Sequence, residues 1–238
     1  MSGDKKQRIW ELDALRGFLM LFVILSHLRY YIDAMITPLQ VPRAVEFVFH
    51  NGGVLFILLS GLCATLGSRS FRRGVVVFAC GLGLQLASHV LAALGLMEDA
   101  MVIRFGILHL LGVCMILYPV LKKLPDTALF ALGMGIIALG YWMNTLRVQV
   151  DFLYALGLCS PTFSSGDYFP ILPHLGWFCI GITMGRRLYG RKKTLLPKVN
   201  EDFFLLRFFR FCGRHSLLIY LAHPPVIFVV CFCITKLL

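Results

Sequence analysis

The apolar stretch RGFLMLFVILSH begins with Arg16 and ends with His27. Arginine grips phosphate with a planar fork of N–H donors, and histidine is the side chain that exchanges a proton near neutral pH. On an α-helix the two residues lie roughly 16 Å apart along the axis, about half the hydrocarbon thickness of a bilayer. One helix would thus carry an anion-binding group and a proton-transfer group at two depths. Asp13 precedes Arg16 by one turn on the same face, and an interfacial ion pair accounts for that carboxylate.

The other histidines are His50, His89, His109, His174, His215 and His223. No HxxxH or HExxH pair occurs among them, and no carboxylate sits beside them inside an apolar run, so general acid–base chemistry is the better reading and no metal is expected. The 8 cysteines contain no CxxC pair. Cys63, Cys80, Cys114, Cys179, Cys231 and Cys233 lie within apolar segments, where cysteine behaves as a small hydrophobe.

Elements must hold these groups. The 238 residues are 58% hydrophobic and only 15% charged, with a mean hydropathy of +0.80. A soluble domain carries nearer a quarter of charged residues, so the composition is that of an integral membrane protein. Apolar runs at about 10–31, 45–67, 74–96, 102–122, 127–147, 168–187 and 214–236 predict an all-α polytopic bundle of about seven transmembrane helices in a single domain, 1–238. The charged N-terminus has no small-residue cleavage site after the first run, unlike a removable signal peptide.

The net charge of +11 does not mark a nucleic-acid binder, because the basic residues fall between apolar runs. Lys5, Lys6, Arg8, Arg69, Arg72, Arg73, Lys122, Lys123 and the many arginines and lysines of 186–214 alternate with acidic connections on the other side. This pattern places the N-terminus inside and the C-terminus outside. Within the long inner connection, EDFFLLRFFRFCGRHS reads as an amphipathic helix on the inner membrane surface. The outer connection 148–167 has an apolar half that could form a short interfacial helix and a Ser-, Pro- and Gly-rich half that is loop. No internal repeat supports an inverted-repeat transporter.

With that topology His27, His50, His89, His109 and His174 all fall about 6–11 Å from the outer surface, although their spans run in opposite directions. Histidines at headgroup level are unremarkable singly. Five at one level predict a polar cavity opening outward, with His223 deeper, near mid-membrane, and His215 at the inner boundary. Arg16, Arg69, Arg72, Arg73, Arg186, Arg187 and Arg214 share an inner depth, where anionic lipid headgroups explain most of them individually.

Five segments in order, RIWELDALRGFLMLFVILSH, FILLSGLCATLG, IRFGILHLLGVCMIL, DYFPILPHLGWFCIGITMG and GRHSLLIYLAHPPV, resemble the bacterial relatives of heparan-α-glucosaminide N-acetyltransferase, a catalytic-domain family of transmembrane acyltransferases. The resemblance implies that an acyl group, acetyl in the first instance, passes from cytoplasmic acyl-CoA to a sugar or glycolipid acceptor across the membrane. It implies that Arg16, with Arg69, Arg72, Arg73 and Arg214, holds the nucleotide phosphates of acetyl-CoA. It makes His27 the general base, with a covalent acyl-histidine as a variant. His223, in LIYLAHPP, would contact the thioester or its oxyanion, and His109, in FGILH, matches the bacterial pattern. Small residues in LSGLCATLG and GLGLQLAS would let helices approach closely around the donor's arm. The chain departs at His174, where relatives often carry tryptophan. A homodimer in the bacterial cytoplasmic membrane is a further implication.

Arg104, about one turn from His109, could meet an anionic acceptor or outer headgroups. The alternative reading is a small multi-span transporter or exporter with an outward-facing histidine-lined cavity. A transporter would tolerate loss of Arg16 and show no thioester turnover.

Overall fold

The computed structural model describes residues 9–146, 148–199 and 203–237, and of His50 the backbone alone. Lys5, Lys6 and Arg8, used above for topology, lie outside them. Among the described residues eight α-helices follow one another: α1 (Trp10–Met35), α2 (Arg43–Ala64), α3 (Ser70–Ala93), α4 (Ile107–Leu121), α5 (Asp126–Met143), α6 (Ile171–Tyr189), α7 (Phe204–Arg214) and α8 (Ser216–Leu237). Among the described residues the one β-type contact is an isolated bridge between Phe105 and Tyr168. Helices are what long apolar runs must form in lipid, where each backbone N–H and C=O has to be satisfied within its own segment. α1, α2, α3, α5 and α8 are long and apolar enough to cross a membrane, and α4 is a shorter apolar helix. The chain is an all-helical membrane protein.

The chain forms two compact units, residues 1–56 with 189–238 and residues 57–188. In the first, α1 and α7 meet backbone to backbone. A methyl group on Gly17 would overlap the Phe209 carbonyl, and one on Gly213 would overlap the Asp13 carbonyl. Phe18 packs edge-on against Phe209, ring centroids 5.5 Å apart. The connection into α7 is tied back to the first turn of α1: Glu11 accepts from the Thr194 hydroxyl at 2.8 Å and the Leu195 N–H at 2.8 Å. α8 buries Tyr220, His223, Pro224, Ile227, Phe228 and Cys231, a stripe at helical spacing. Tyr31 of α1 meets that stripe at Phe228, 6.2 Å between centroids.

The second unit is also built on glycine contacts. α3 meets α4 where Gly74 faces the Gly112 carbonyl, Gly112 faces Phe78, and Gly81 faces the His109 ring. Gly61 of α2 lies against the Phe178 carbonyl of α6, and Gly181 of α6 against the Leu58 carbonyl. Gly140 of α5 abuts Pro173. Close approach at small residues is how helices associate in lipid, where the hydrophobic effect gives no preference for protein over acyl chains. Of the small residues in GLGLQLAS, Gly81 makes such a contact, whereas Gly83 faces open space.

Two elements differ from the expectation. The fourth helix begins at Ile107 instead of residue 102, because 102–105 is extended and paired along 166–169: Gly166 N–H donates to Val102 O at 3.1 Å and Phe169 N–H to Phe105 O at 2.8 Å. The outer connection forms no interfacial helix, only the single 3-10 turn Tyr154–Leu156. Asp151 ties the segment up locally, accepting from the Ser160 N–H at 2.7 Å and its hydroxyl at 3.1 Å, and Gly157 turns the backbone at φ +107°, a conformation open to glycine.

The glycine contacts make a graded prediction. Gly17→Val should lower the apparent melting temperature of the detergent-solubilised protein by several degrees, since overpacking costs on the order of 1–3 kcal/mol. Gly83→Ala and Gly135→Ala, which meet nothing within 4 Å, should leave it unchanged or raise it. Fluorescence-detected thermal unfolding reads all three.

Candidate active-site residues

In the first unit α1 and α8 bring His27 and His223 together, ring centroids 4.8 Å apart at 73°. Tyr220, one turn before His223, packs edge-on against it at 5.0 Å and stands 6.1 Å from His27. His27 Nδ1 lies 2.9 Å from the Val23 carbonyl of its own helix. His223 Nδ1 lies 3.3 Å from that of Ile219. A carbonyl only accepts, so each Nδ1 carries the hydrogen and each Nε2 keeps its lone pair. His223 Nε2 is buried and has no partner among the described residues. Pro224 and Pro225 follow directly. They bring no N–H, so the Tyr220 and Leu221 carbonyls beside this pair lack their helical donors.

Farther along α1, a buried Asp13 collects two arginines. Arg16 donates to Asp13 Oδ1 at 3.0 Å and reaches the Gly213 carbonyl at the end of α7 at 3.3 Å. The Arg214 Nε stands 3.6 Å from Asp13 Oδ2. The Gly17–Gly213 approach makes this cluster possible by bringing the end of α7 onto α1. Arg16 and His27 are about 20° apart around the helix, so both sit on one face. The first unit therefore holds His27 and His223 as one pair and Arg16 and Arg214 as another.

His109 lies in the second unit and differs in kind. It is 2% exposed, stacked on Phe105 at 5.3 Å and edge-on to Phe78 at 5.5 Å. The Gly106 N–H donates to its Nδ1 at 3.2 Å. In the neutral ring the hydrogen is therefore on Nε2, and that atom is buried with no partner among the described residues. Beside it the Asp167 carboxylate accepts the Ile107 N–H at 3.0 Å. Asp167 and His109 thus serve the free N–H groups that begin α4. Through Nδ1, His89 bonds the Gln85 carbonyl of its own helix at 2.9 Å and His174 the Pro170 carbonyl just before α6 at 2.8 Å.

The arginines divide by what they touch. Arg69, Arg72 and Arg73, around the start of α3, are exposed. Among the described residues they have no carboxylate within ion-pair distance. An anion there would also meet the positive end of the helix dipole. Arg186 is a structural bolt, donating to the Lys122 carbonyl at 2.7 Å, the Leu124 carbonyl at 2.8 Å and Asp126 Oδ1 at 2.9 Å. Arg104 is committed to the outer connection. It bonds Asp99 at 2.9 Å and the Ser164 carbonyl at 3.0 Å, and lies over the Phe163 ring. Tyr168 completes that cap by donating to the Tyr154 carbonyl at 2.7 Å. Burial pushes its phenol well above the ordinary range, so it remains a donor.

Sequence reasoning missed Tyr220, Asp167 and Trp177, whose indole N–H is buried without a partner among the described residues. Tyr220 had a signal in its one-turn spacing from His223. Asp167 had none, because its role depends on a contact sixty residues away.

The family model for heparan-alpha-glucosaminide N-acetyltransferase, catalytic, matches residues 8–225. No curated protein and no solved structure matches the chain. The matched range takes in His27, His109, His223 and every arginine discussed here.

Arg186→Ala should lower the melting temperature markedly, because it strands two carbonyls and Asp126. Arg72→Ala should leave it within a degree, as expected for an exposed side chain with no ion partner. The same thermal assay separates the two.

Proposed function

The chain belongs to the heparan-α-glucosaminide N-acetyltransferase catalytic family, and from that membership we propose that it moves an acyl group, acetyl in the first instance, from acyl-CoA to a sugar or glycolipid acceptor. The whole chain acts as one domain in this reading, since the family match runs through both compact units. α4 and α6 join the five long apolar helices as spans, giving seven, with the N-terminus cytoplasmic. The membrane is a bacterial cytoplasmic one.

The observation that carries the reading is the His27–His223 pair. Both rings are held by Nδ1–H, so both present a basic Nε2. His27 Nε2 takes the proton of the acceptor hydroxyl or amine as its oxygen or nitrogen attacks the thioester carbon. The carbon–sulfur bond then breaks, and the departing thiolate collects the proton from His27. His223 lies against His27 to contact the thioester. Tyr220 packs on His223 and holds its ring in place. His109 is the third catalytic candidate.

Arg16 and Arg214 are one pair of groups for the nucleotide phosphates, and Arg69, Arg72 and Arg73 supply further charge. Asp13 holds the first pair together before the donor arrives, and a phosphate can replace the carboxylate as the partner of each. Arg16 and His27 share a face of α1 roughly 16 Å apart, a length of the order of an extended pantetheine arm.

The test is acetyl-CoA binding and thioester turnover with candidate sugars, measured on purified protein in detergent. Wild type should bind. Arg16→Ala should weaken binding at least tenfold, and His27→Ala should bind normally yet turn over at least a hundredfold more slowly. Absence of acyl-CoA binding in all three would remove the donor and favour an export function for the histidine-lined cavity.

A further inference from the structure

α7 presents three ridges, and α1 covers one of them. Residues three and four apart share a face of an α-helix. Phe209 and Gly213, with half-buried Leu206 on the same face, form the ridge that meets α1: Gly213 is buried against the Asp13 carbonyl, and Phe209 packs on Phe18. Phe204, Phe208 and Phe211 form the opposite ridge, where the residues are 80%, 50% and 61% exposed. Between the two runs a ridge of arginines, Arg207, Arg210 and Arg214. It ends where the Arg214 Nε faces Asp13.

An amphipathic helix normally turns its apolar face to its own protein. Here the glycine ridge makes that contact and the phenyl ridge is left outside. Arg207 is exposed and has no carboxylate within ion-pair distance among the described residues. Residues 191–214 carry seven basic and two acidic side chains. In the connection before α7, exposed Leu195, Leu196 and Val199 alternate with exposed Lys193 and Lys198. Apolar rings beside a positive ridge match a partner with an apolar interior and a negative rim, which describes a leaflet of anionic phospholipid. A second copy of the chain would bring the same excess of positive charge against itself.

We propose that α7 docks on anionic phospholipid, with Phe204, Phe208 and Phe211 among the acyl chains and Arg207 and Arg210 at the lipid phosphates. A guanidinium can give a phosphate two parallel hydrogen bonds, and a negative leaflet attracts the whole basic segment beyond those contacts. α7 is then held between lipid on its phenyl ridge and α1 on its glycine ridge. The lipid keeps closed the contact that brings Arg214 to Asp13. The sequence pattern alone sets such a helix at a membrane surface; the three ridges add the headgroup charge it selects and its link to the Asp13 cluster. None of this depends on the transferase reading.

The experiment is thermal unfolding of the full chain in mixed micelles of dodecyl maltoside with phosphatidylglycerol or phosphatidylcholine. Phosphatidylglycerol should raise the melting temperature several degrees more than phosphatidylcholine does, and about 0.5 M NaCl should remove at least half of that difference. Inorganic phosphate at matched concentration should produce none of it. Arg207→Gln should melt within about a degree of wild type without lipid and lose at least half of the phosphatidylglycerol increment. Phe204→Ser should reduce the increment from both lipids and leave the oligomeric state, read by light scattering, as in wild type. Equal increments from the two lipids, an increment matched by inorganic phosphate, or a full increment in Arg207→Gln overturns the proposal. So does a change of oligomeric state in Phe204→Ser, which would make this face a contact between copies of the chain. If Arg207→Gln does not fold, Phe204→Trp decides: brominated acyl chains of phosphatidylglycerol should quench most of the fluorescence it adds, and an unquenched signal overturns the docking.

Discussion

A helix in lipid uses up its own backbone, and this constraint decides where every polar side chain of the protein can find a partner. Two kinds of backbone group remain. One is the carbonyl four residues back, which can accept a second bond. The other is the set of free N–H and C=O groups at helix ends. His27, His89, His174 and His223 take the first option through Nδ1. His109 and Asp167 serve the beginning of α4, Arg16 reaches the end of α7, and Arg186 binds the end of α4. The protonation pattern of the histidines follows directly: a ring tied to a carbonyl keeps a basic nitrogen, and a ring tied to an N–H keeps a donor.

The second constraint is distance. Polar side chains on different helices can cluster only if the helices come close, and in lipid that is achieved by removing side chains. Gly17 and Gly213 bring Arg16, Asp13 and Arg214 within bonding range. Gly81 leaves room for the His109 ring. Glycines with nothing in front of them, such as Gly83 and Gly135, do not bear on any candidate site.

This division explains what could be read from the sequence. The helices were legible because an apolar run of about twenty residues has few alternatives in a membrane. Their ends were legible to within a few residues, except at α4, where extended pairing between 102–105 and 166–169 competes with helix and leaves no periodic signal. His27 and His223 were legible as candidates by motif, but not as neighbours, since their meeting depends on how α8 lies on α1. The arginines were the least legible. At one depth in the sequence Arg72 and Arg186 look alike, yet one is exposed and the other is bonded to three backbone and side-chain oxygens. Only the fold distinguishes a charge that is free to meet an anion from one that is already spent on a helix end.

Asp13 is the group where both constraints meet. A buried carboxylate is costly unless it is paired; Arg16 bonds Asp13 Oδ1 at 3.0 Å, and the Arg214 Nε stands 3.6 Å from Oδ2, which accepts no hydrogen bond among the described residues. Two arginines facing each other across a helix contact would repel without it. The carboxylate therefore lets the chain store two positive charges at one place on α1 and α7 while keeping that contact closed. A phosphate has the same charge sign as the carboxylate, and a guanidinium donates to either. The same face of α1 carries His27 half a bilayer away, so the helix itself aligns the arginine pair with the histidine pair at its other end.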